Sequence, residues 1–314
     1  MSVEQATQAE KFTPALSNDE LDDILDNKTR PVVLDVPEAS LNSLSAANRK
    51  ALDYLIVAVD ALNDVFLRQD DRLNISIRQY FSKLAQAQDP RAQKILRLFD
   101  MFNGHQTPDM YAKQSRPLNL VKERCLLNGR GFYPDDFDVD AFAAYLKDHP
   151  NQAKDFFEPR TIIKKDENGY RAVPFSEAYR SEMREAAAFL ELASKVTYHD
   201  GLARYLGALA ASLRDSTDKQ SLYEAEMAWL SLQDSPIEFT IGFESYEDKL
   251  TAEISKHPVI QAVLEQEEVE AQTKNTIGAR VGIVNPESRK TLELYQRNKV
   301  DFANNFPQAE IYET

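Results

Sequence analysis

The sequence predicts a mainly α fold (α+β), in which a helical lobe carries a small mixed β-element. Apolar residues recur at three- and four-residue steps through most of residues 45–233, as they do in amphipathic helices. An Asn-Gly pair between two β-rich runs predicts a hairpin near residues 161–173. A second β-rich run at residues 237–243 predicts a strand outside the helical lobe.

The chain divides into three predicted regions. Residues 1–40 are polar and acidic, and we expect a loosely ordered lead-in with one short helix near residues 18–26. Residues 41–235 form the helical lobe. Residues 236–314 form the small β-element with its flanking helices.

Three helices are predicted to open the lobe. The first, at residues 45–67, places Leu52, Leu55 and Leu62 on one face. The second and third are predicted at residues 73–88 and 90–102. Asn103-Gly104 ends the third, because glycine adopts the left-handed conformation at a helix stop.

Residues 104–135 contain several glycines and prolines and are predicted to be irregular. Asp138 is a candidate cap for a helix at residues 139–148, which stops before Pro150. In the hairpin that follows, Asn168-Gly169 is expected to supply the positive φ angles of the turn.

The remaining elements follow from the same patterns. The remaining helices of the lobe are predicted at residues 175–195, with Ser176 as a candidate cap, at 201–213 and at 219–233. The third region is predicted to hold strands at 237–243 and 278–284, an acidic helix at 258–274 and a helix at 287–298.

Composition restricts the classes of partner. The 314 residues carry 51 acidic and 37 basic side chains, a net charge of −14. Nucleic acid and anionic membrane are therefore not expected as partners, because phosphate binding requires clustered Lys and Arg.

The single cysteine, Cys125, excludes an internal disulfide framework. The N-terminal residues show no signal-peptide pattern, which predicts a cytoplasmic location.

The run from Ser235 to Asp248 is the most informative for function. It places Glu238 within a strand-like stretch, where an unpaired carboxylate is costly to bury. A strand with free backbone groups beside a carboxylate is suited to hold the amino terminus of an extended peptide. The alternative is an edge strand whose Glu238 faces water.

Four motifs, in order, resemble those of the dipeptidyl peptidase III-like zinc peptidases. The same run resembles the substrate-binding strand of that family. The three others are G-F-Y-P-D-D at residues 131–136, A-V-P-F-S-E-A-Y at 172–179 and W-L-S-L-Q-D-S-P at 229–236. The resemblance covers roughly residues 45–250 and implies that part of the dipeptidyl peptidase III fold is present.

The resemblance also implies roles for individual residues. The family's glutamate at the position of Glu238 binds the α-ammonium of a peptide. Thr240 is the next residue on the same face, where some members have tyrosine. Asn285 stands where asparagines hold the peptide backbone, although a plain turn before Pro286 also fits. The side chains expected to shape the exit from the strand are Glu244, Tyr246 and Asp248.

The zinc-binding motif of the family is not found in this sequence. The family binds zinc through H-E-x-x-G-H and a glutamate of a second helix, whereas the four histidines here are far apart. We therefore predict no catalytic residue and no metal ligand, and no cofactor for this chain, in contrast to the zinc of complete members. Trp229 is expected in the core.

Two interpretations of function follow from the resemblance. The chain is a truncated part of a zinc-dependent exopeptidase, or it is a pseudopeptidase that binds peptides. In both, the expected partner is a peptide with a free N-terminus. The alternative is a non-catalytic protein-interaction or regulatory module on the same scaffold, with a protein as its partner.

Overall fold

A computed structural model describes residues 11–29, 36–108, 117–123, 130–245 and 253–305. The α-helices with bounds inside these ranges are α1 (Asn18–Asp23), α2 (Glu38–Ser43), α3 (Ala46–Asp70), α4 (Asn74–Gln86), α5 (Pro90–Phe102), α6 (Val139–Asp148), α7 (Ala153–Phe156), α8 (Phe175–Ala178), α9 (Arg180–Val196), α10 (Asp200–Arg214), α11 (Lys219–Leu230), α12 (Pro258–Gln266), α13 (Pro286–Arg297) and α14 (Lys299–Asn304). A π-helical turn, Ile24–Lys28, follows α1. The strands are β1 (Gln106–Pro108), β2 (Pro117–Asn119), β3 (Thr161–Asp166), β4 (Gly169–Pro174), β5 (Ile237–Ser245) and β6 (Asn275–Ile283).

The mainly α fold with a small β-element is confirmed. The strands pair as three antiparallel, two-stranded sheets: β1 with β2, β3 with β4, and β5 with β6. The central element is α3, which packs against α9 and against β6. Its residues Leu55, Ala58, Leu62 and Val65 are fully or almost fully buried in the main core, as their helical spacing predicts.

A second, smaller core joins α4 and α5 to the start of the chain. Phe12, Leu21 and Ile24 are buried in it together with Phe81 and Phe99. Residues 11–29, predicted to be loosely ordered around one helix, therefore pack against the lobe. Burial of their apolar side chains offsets the entropy cost of ordering this polar segment.

Several local features differ from the prediction. The left-handed residue at the end of α5 is Asn103 (φ 51°), one position before the expected glycine. In the β3–β4 hairpin, Asp166 lies opposite Gly169, so the turn residues are 167 and 168. Asn168 does not adopt a positive φ, and its N–H donates to Oδ1 of Asp166 at 2.8 Å.

One irregular stretch and two predicted helix caps can also be compared with the structure. Strands β1 and β2 occupy part of the stretch predicted to be irregular. Ser176 is not a helix cap, because α8 begins one residue before it, and its N–H donates to Oγ of Ser216. Asp138 does cap α6, accepting from the N–H of Ala141 at 2.7 Å.

The acidic helix predicted at 258–274 ends at Gln266. Glu268 adopts a left-handed conformation (φ 53°), and the N–H of Val269 donates to the carbonyl of Leu264 at 2.9 Å. This is a Schellman stop built without glycine. The chain then runs to Lys274, which is only 2% exposed, and enters β6 at Asn275.

Candidate functional site

The start of β6 is closed on its outer edge by other parts of the protein. The N–H of Ile277 donates to Oε1 of Gln69, at 2.8 Å. The N–H of Asn275 donates to the carbonyl of Pro159, also at 2.8 Å. Both backbone groups therefore point away from β5.

The ladder then determines which groups of β5 are free. In an antiparallel ladder, the backbone N–H and C=O groups of two opposite residues either bond each other or both point away from the partner strand, and these two kinds of pair alternate. Phe243 lies opposite Ile277 and Ile241 opposite Ala279, which directs their backbone groups, and those of Phe239, to the far edge of β5. Across the part of the chain that the structure describes, no hydrogen bond occupies that edge at these three residues.

A groove runs beside the free edge of β5. Its cavity of about 500 Å³ lies between this strand and helices α10 and α11, and we call it the β5 groove. Its walls are mainly apolar. They are formed by Tyr205, Leu209, Leu222, Ala225, Glu226, Trp229, Leu230, Thr240, Ile241 and Phe243, together with Arg160 and Asn275.

Glu238 contacts the groove wall at Trp229, although it is not itself a lining residue. Its Oε1 accepts a hydrogen bond of 3.2 Å from the indole Nε1 of Trp229. The expectation that Trp229 lies in the core is wrong, because its side chain is 42% exposed and lines the groove. Glu238 itself is exposed, so its carboxylate reaches both the groove wall and solvent.

Tyr205 forms the floor near Glu238. Burial raises the pKa of its phenol, and the nearby Glu238 carboxylate raises that pKa further. The hydroxyl therefore remains protonated at neutral pH.

The other predicted site residues are dispersed. Thr240 lines the β5 groove. Glu244 pairs with Arg280 at 3.3 Å and lines a separate cavity next to α3. The side chain of Asn285 caps α13 by accepting from the N–H of Glu287 at 3.0 Å. Tyr246 and Asp248 lie outside the described residues, as does Cys125.

The histidines do not form a metal site. His105 contacts Asp71, His149 bonds the carbonyl of Tyr145, His199 caps α10, and His257 contacts Asp140. The first of these contacts joins two buried side chains at 3.0 Å. In the described ranges, no three His, Cys, Asp or Glu side chains are grouped so that they could hold a metal ion. The described residues therefore offer no group of side chains that fits the zinc of that family.

Sequence patterns did not indicate Arg160, Tyr205 or Trp229 as site residues. Arg160 precedes β3 and Tyr205 lies on α10, outside every quoted motif, and Trp229 begins the motif at 229–236, where it was expected in the core. Their proximity arises only when α10 and α11 pack beside β5.

Among the helices that the structure describes, none is both long and apolar enough to cross a membrane.

Comparisons of the sequence with known proteins give one curated relative. No family model matches the chain. The curated protein Nudix hydrolase 3 of Arabidopsis thaliana is 24% identical over 334 aligned positions, covering 90% of this chain and 39% of that protein. The chain thus spans well under half of that relative.

Two solved structures are similar over most of the chain. One is dipeptidyl peptidase III from Caldithrix abyssi, with a TM-score of 0.67 and 25% identity over 89% of this chain and 47% of that one. The other is the dipeptidyl peptidase III from Corallococcus sp. strain EGB, with a TM-score of 0.62 and 21% identity over 94% of this chain and 49% of that one. The chain therefore has a dipeptidyl peptidase III-like fold and spans about half of these structures.

Proposed function

We propose that this chain binds short, extended peptides with a free amino terminus in the β5 groove, without catalysing their hydrolysis. The observation that carries the proposal is the position of Glu238. Its carboxylate is held by Trp229 at the end of an open strand edge that borders a cavity.

The free edge supplies the affinity in this proposal. The outward N–H and C=O groups of Phe239, Ile241 and Phe243 offer the hydrogen bonds of one additional strand. A peptide that pairs there adds to a two-stranded sheet whose other strand, β6, is anchored at Ile277 by Gln69. The apolar walls then bury alternate side chains of the peptide.

Glu238 supplies the selectivity for a free amino terminus. A peptide ammonium beside it forms a charge-assisted hydrogen bond, which is stronger than a neutral one. The indole of Trp229 orients the carboxylate by donating to one oxygen and leaves the second oxygen for the ligand. Thr240, on the same face of the strand, offers a hydroxyl beside the peptide backbone.

A protein-interaction module remains the second candidate. It is supported by exposed apolar side chains on α13 and α14: Leu292, Leu294, Tyr295, Val300 and Phe302. The β5 groove favours peptide binding, because it combines open backbone groups, a carboxylate and a cavity at one place.

Calorimetry with the unmodified protein tests the proposal. The ligands are a hexapeptide with an amidated C-terminus and its N-acetylated twin. We expect acetylation to weaken binding by roughly tenfold or more, because it removes the ammonium charge. Equal affinity for the two peptides would leave Glu238 as an ordinary surface acid.

A further inference from the structure

Arg160 is a buried cation whose hydrogen-bonding capacity is largely unused. The residue is only 8% exposed. Its Nε contacts Oε1 of Glu158 at 3.4 Å, and its guanidinium carbon lies 6.0 Å from the ring centroid of Phe243. Within the described residues, its terminal nitrogens Nη1 and Nη2 have no hydrogen-bond partner.

The side chain is also directed into the β5 groove, since it forms part of the wall. An arginine presents five N–H donors in a planar fork that matches a carboxylate. Its ion-pair partner Glu158 is bonded through Nε, which leaves the terminal nitrogens unbonded. The groove wall therefore contains one arginine whose terminal N–H groups are open to an anion.

Arg160 and Glu238 lie apart along the groove, because Arg160 contacts Phe243 of β5 and Glu238 contacts Trp229 of α11. Trp229, which contacts Glu238, is near the end of α11, whereas Leu222 is near its start and lines the groove with Arg160. These two residues are seven positions apart on the helix, about 10 Å. Along β5, Glu238 and Phe243 are five positions apart, about 17 Å.

Charged neighbours surround Arg160. Glu158 is shared between Arg160 and Lys219, whose Nζ lies 3.3 Å from Oε2. Hydrogen bonds from Thr217 and, to a smaller extent, the charge of Arg160 lower the pKa of the Asp215 carboxyl, so this carboxylate is also near. Arg160 further lines an adjoining cavity of about 780 Å³ together with three glutamates, Glu267, Glu268 and Glu270, which do not line the β5 groove.

We infer that Arg160 binds the C-terminal carboxylate of the peptide whose ammonium lies at Glu238. This inference rests on the proposed function and defines its ligand class: short peptides with both termini free. An extended chain advances about 3.3 Å per residue, so a groove of roughly 10–17 Å fits about three to five residues.

The experiment uses the fluorescence of Trp229, the only tryptophan of the chain. Tetrapeptides with a free N-terminus are titrated as the free acid, as the C-terminal amide, and as the amide with glutamate at the last position. We expect the acid to bind roughly tenfold more tightly than the amide, as for other charge-assisted hydrogen bonds. If the glutamate amide matches the acid, the carboxylate at Arg160 comes from a side chain.

Two variants assign the effect to Arg160. Arg160→Gln is expected to bind acid and amide equally, while Arg204→Gln, which removes an exposed arginine of α10 outside the groove wall, keeps the preference. Thermal unfolding measures whether Arg160→Gln is folded. The comparison of the acid and amide peptides with the wild type does not depend on this variant.

The outcomes separate this inference from the proposed function. If the wild type binds acid and amide equally while N-acetylation still weakens binding, the role of Arg160 is overturned and the proposed function is not. A preference retained in Arg160→Gln would do the same. The absence of binding by every peptide would overturn both.

Discussion

Gln69 accepts a hydrogen bond from the backbone N–H of Ile277 at 2.8 Å, although the two residues lie 208 positions apart. The side chain of a core helix thus takes the place of a neighbouring strand at the outer edge of β6. It closes the outer edge of β6 at Ile277, next to the bond between Asn275 and Pro159, so an added strand cannot pair along the start of β6. The open edge of β5 at Phe239, Ile241 and Phe243 is bordered by the β5 groove, which offers a peptide both hydrogen bonds and walls.

Replacing Gln69 by leucine should destabilise the protein. The change leaves the buried N–H of Ile277 without a partner, which costs about 1–3 kcal/mol in the free energy of unfolding. Urea unfolding measures this, and faster amide exchange should be confined first to β6. Gln93→Leu, on an exposed face of α5, is the matched control and should change stability by less than about 0.5 kcal/mol.

Lys274 should make stability dependent on pH above neutrality. Its ammonium donates to the carbonyls of Phe156 and Glu158 and to Oγ1 of Thr161, at 2.6–2.9 Å. Burial lowers its pKa from 10.5 to about 7. Between these two values the unfolded chain binds a proton that the folded chain releases, so this group makes the free energy of unfolding rise with pH.

The comparison is between the wild type and Lys274→Met in urea unfolding from pH 6.5 to 9.5. The wild type should gain stability relative to the variant across this range. Lys219→Met removes an exposed lysine and should retain the wild-type slope. Parallel pH profiles for the wild type and Lys274→Met would contradict the assignment.

Glu238→Gln should weaken binding of a peptide with a free amino terminus by roughly tenfold or more, because it replaces a charged acceptor with a neutral one. Binding of the acetylated peptide should change much less. Calorimetry with both peptides measures the difference. Glu224→Gln, an exposed carboxylate on α11 outside the groove wall, controls for net charge, and an equal loss in this variant would argue against a specific role of Glu238.

Thr240→Val should weaken peptide binding about two- to tenfold if its hydroxyl bonds the peptide backbone, as expected for one neutral hydrogen bond. The substitution preserves the shape of the side chain on the groove wall. The same change at Thr291, on α13, is the matched control. Unchanged affinity in Thr240→Val would limit the residue to an apolar contact through its methyl group.

Local elements were predictable because their causes are local. The apolar spacing of α3, the cap at Asp138 and the β-rich run of β5 each act over a few residues, and the structure contains all three. The predicted helix bounds were wrong where a residue other than glycine could also adopt the conformation that ends a helix. One example is the end of α12, where Glu268 adopts the conformation usually given to glycine.

The sequence by itself thus determined the helical lobe, the strand that carries Glu238 and the kinship of the fold. Only the tertiary structure decided what surrounds that strand. Trp229 reaches Glu238 because α11 packs beside β5, and Arg160 enters the same groove from the segment before β3. These contacts depend on long-range packing, which no short pattern encodes, since the partners come from separate elements brought together by burial of a shared core.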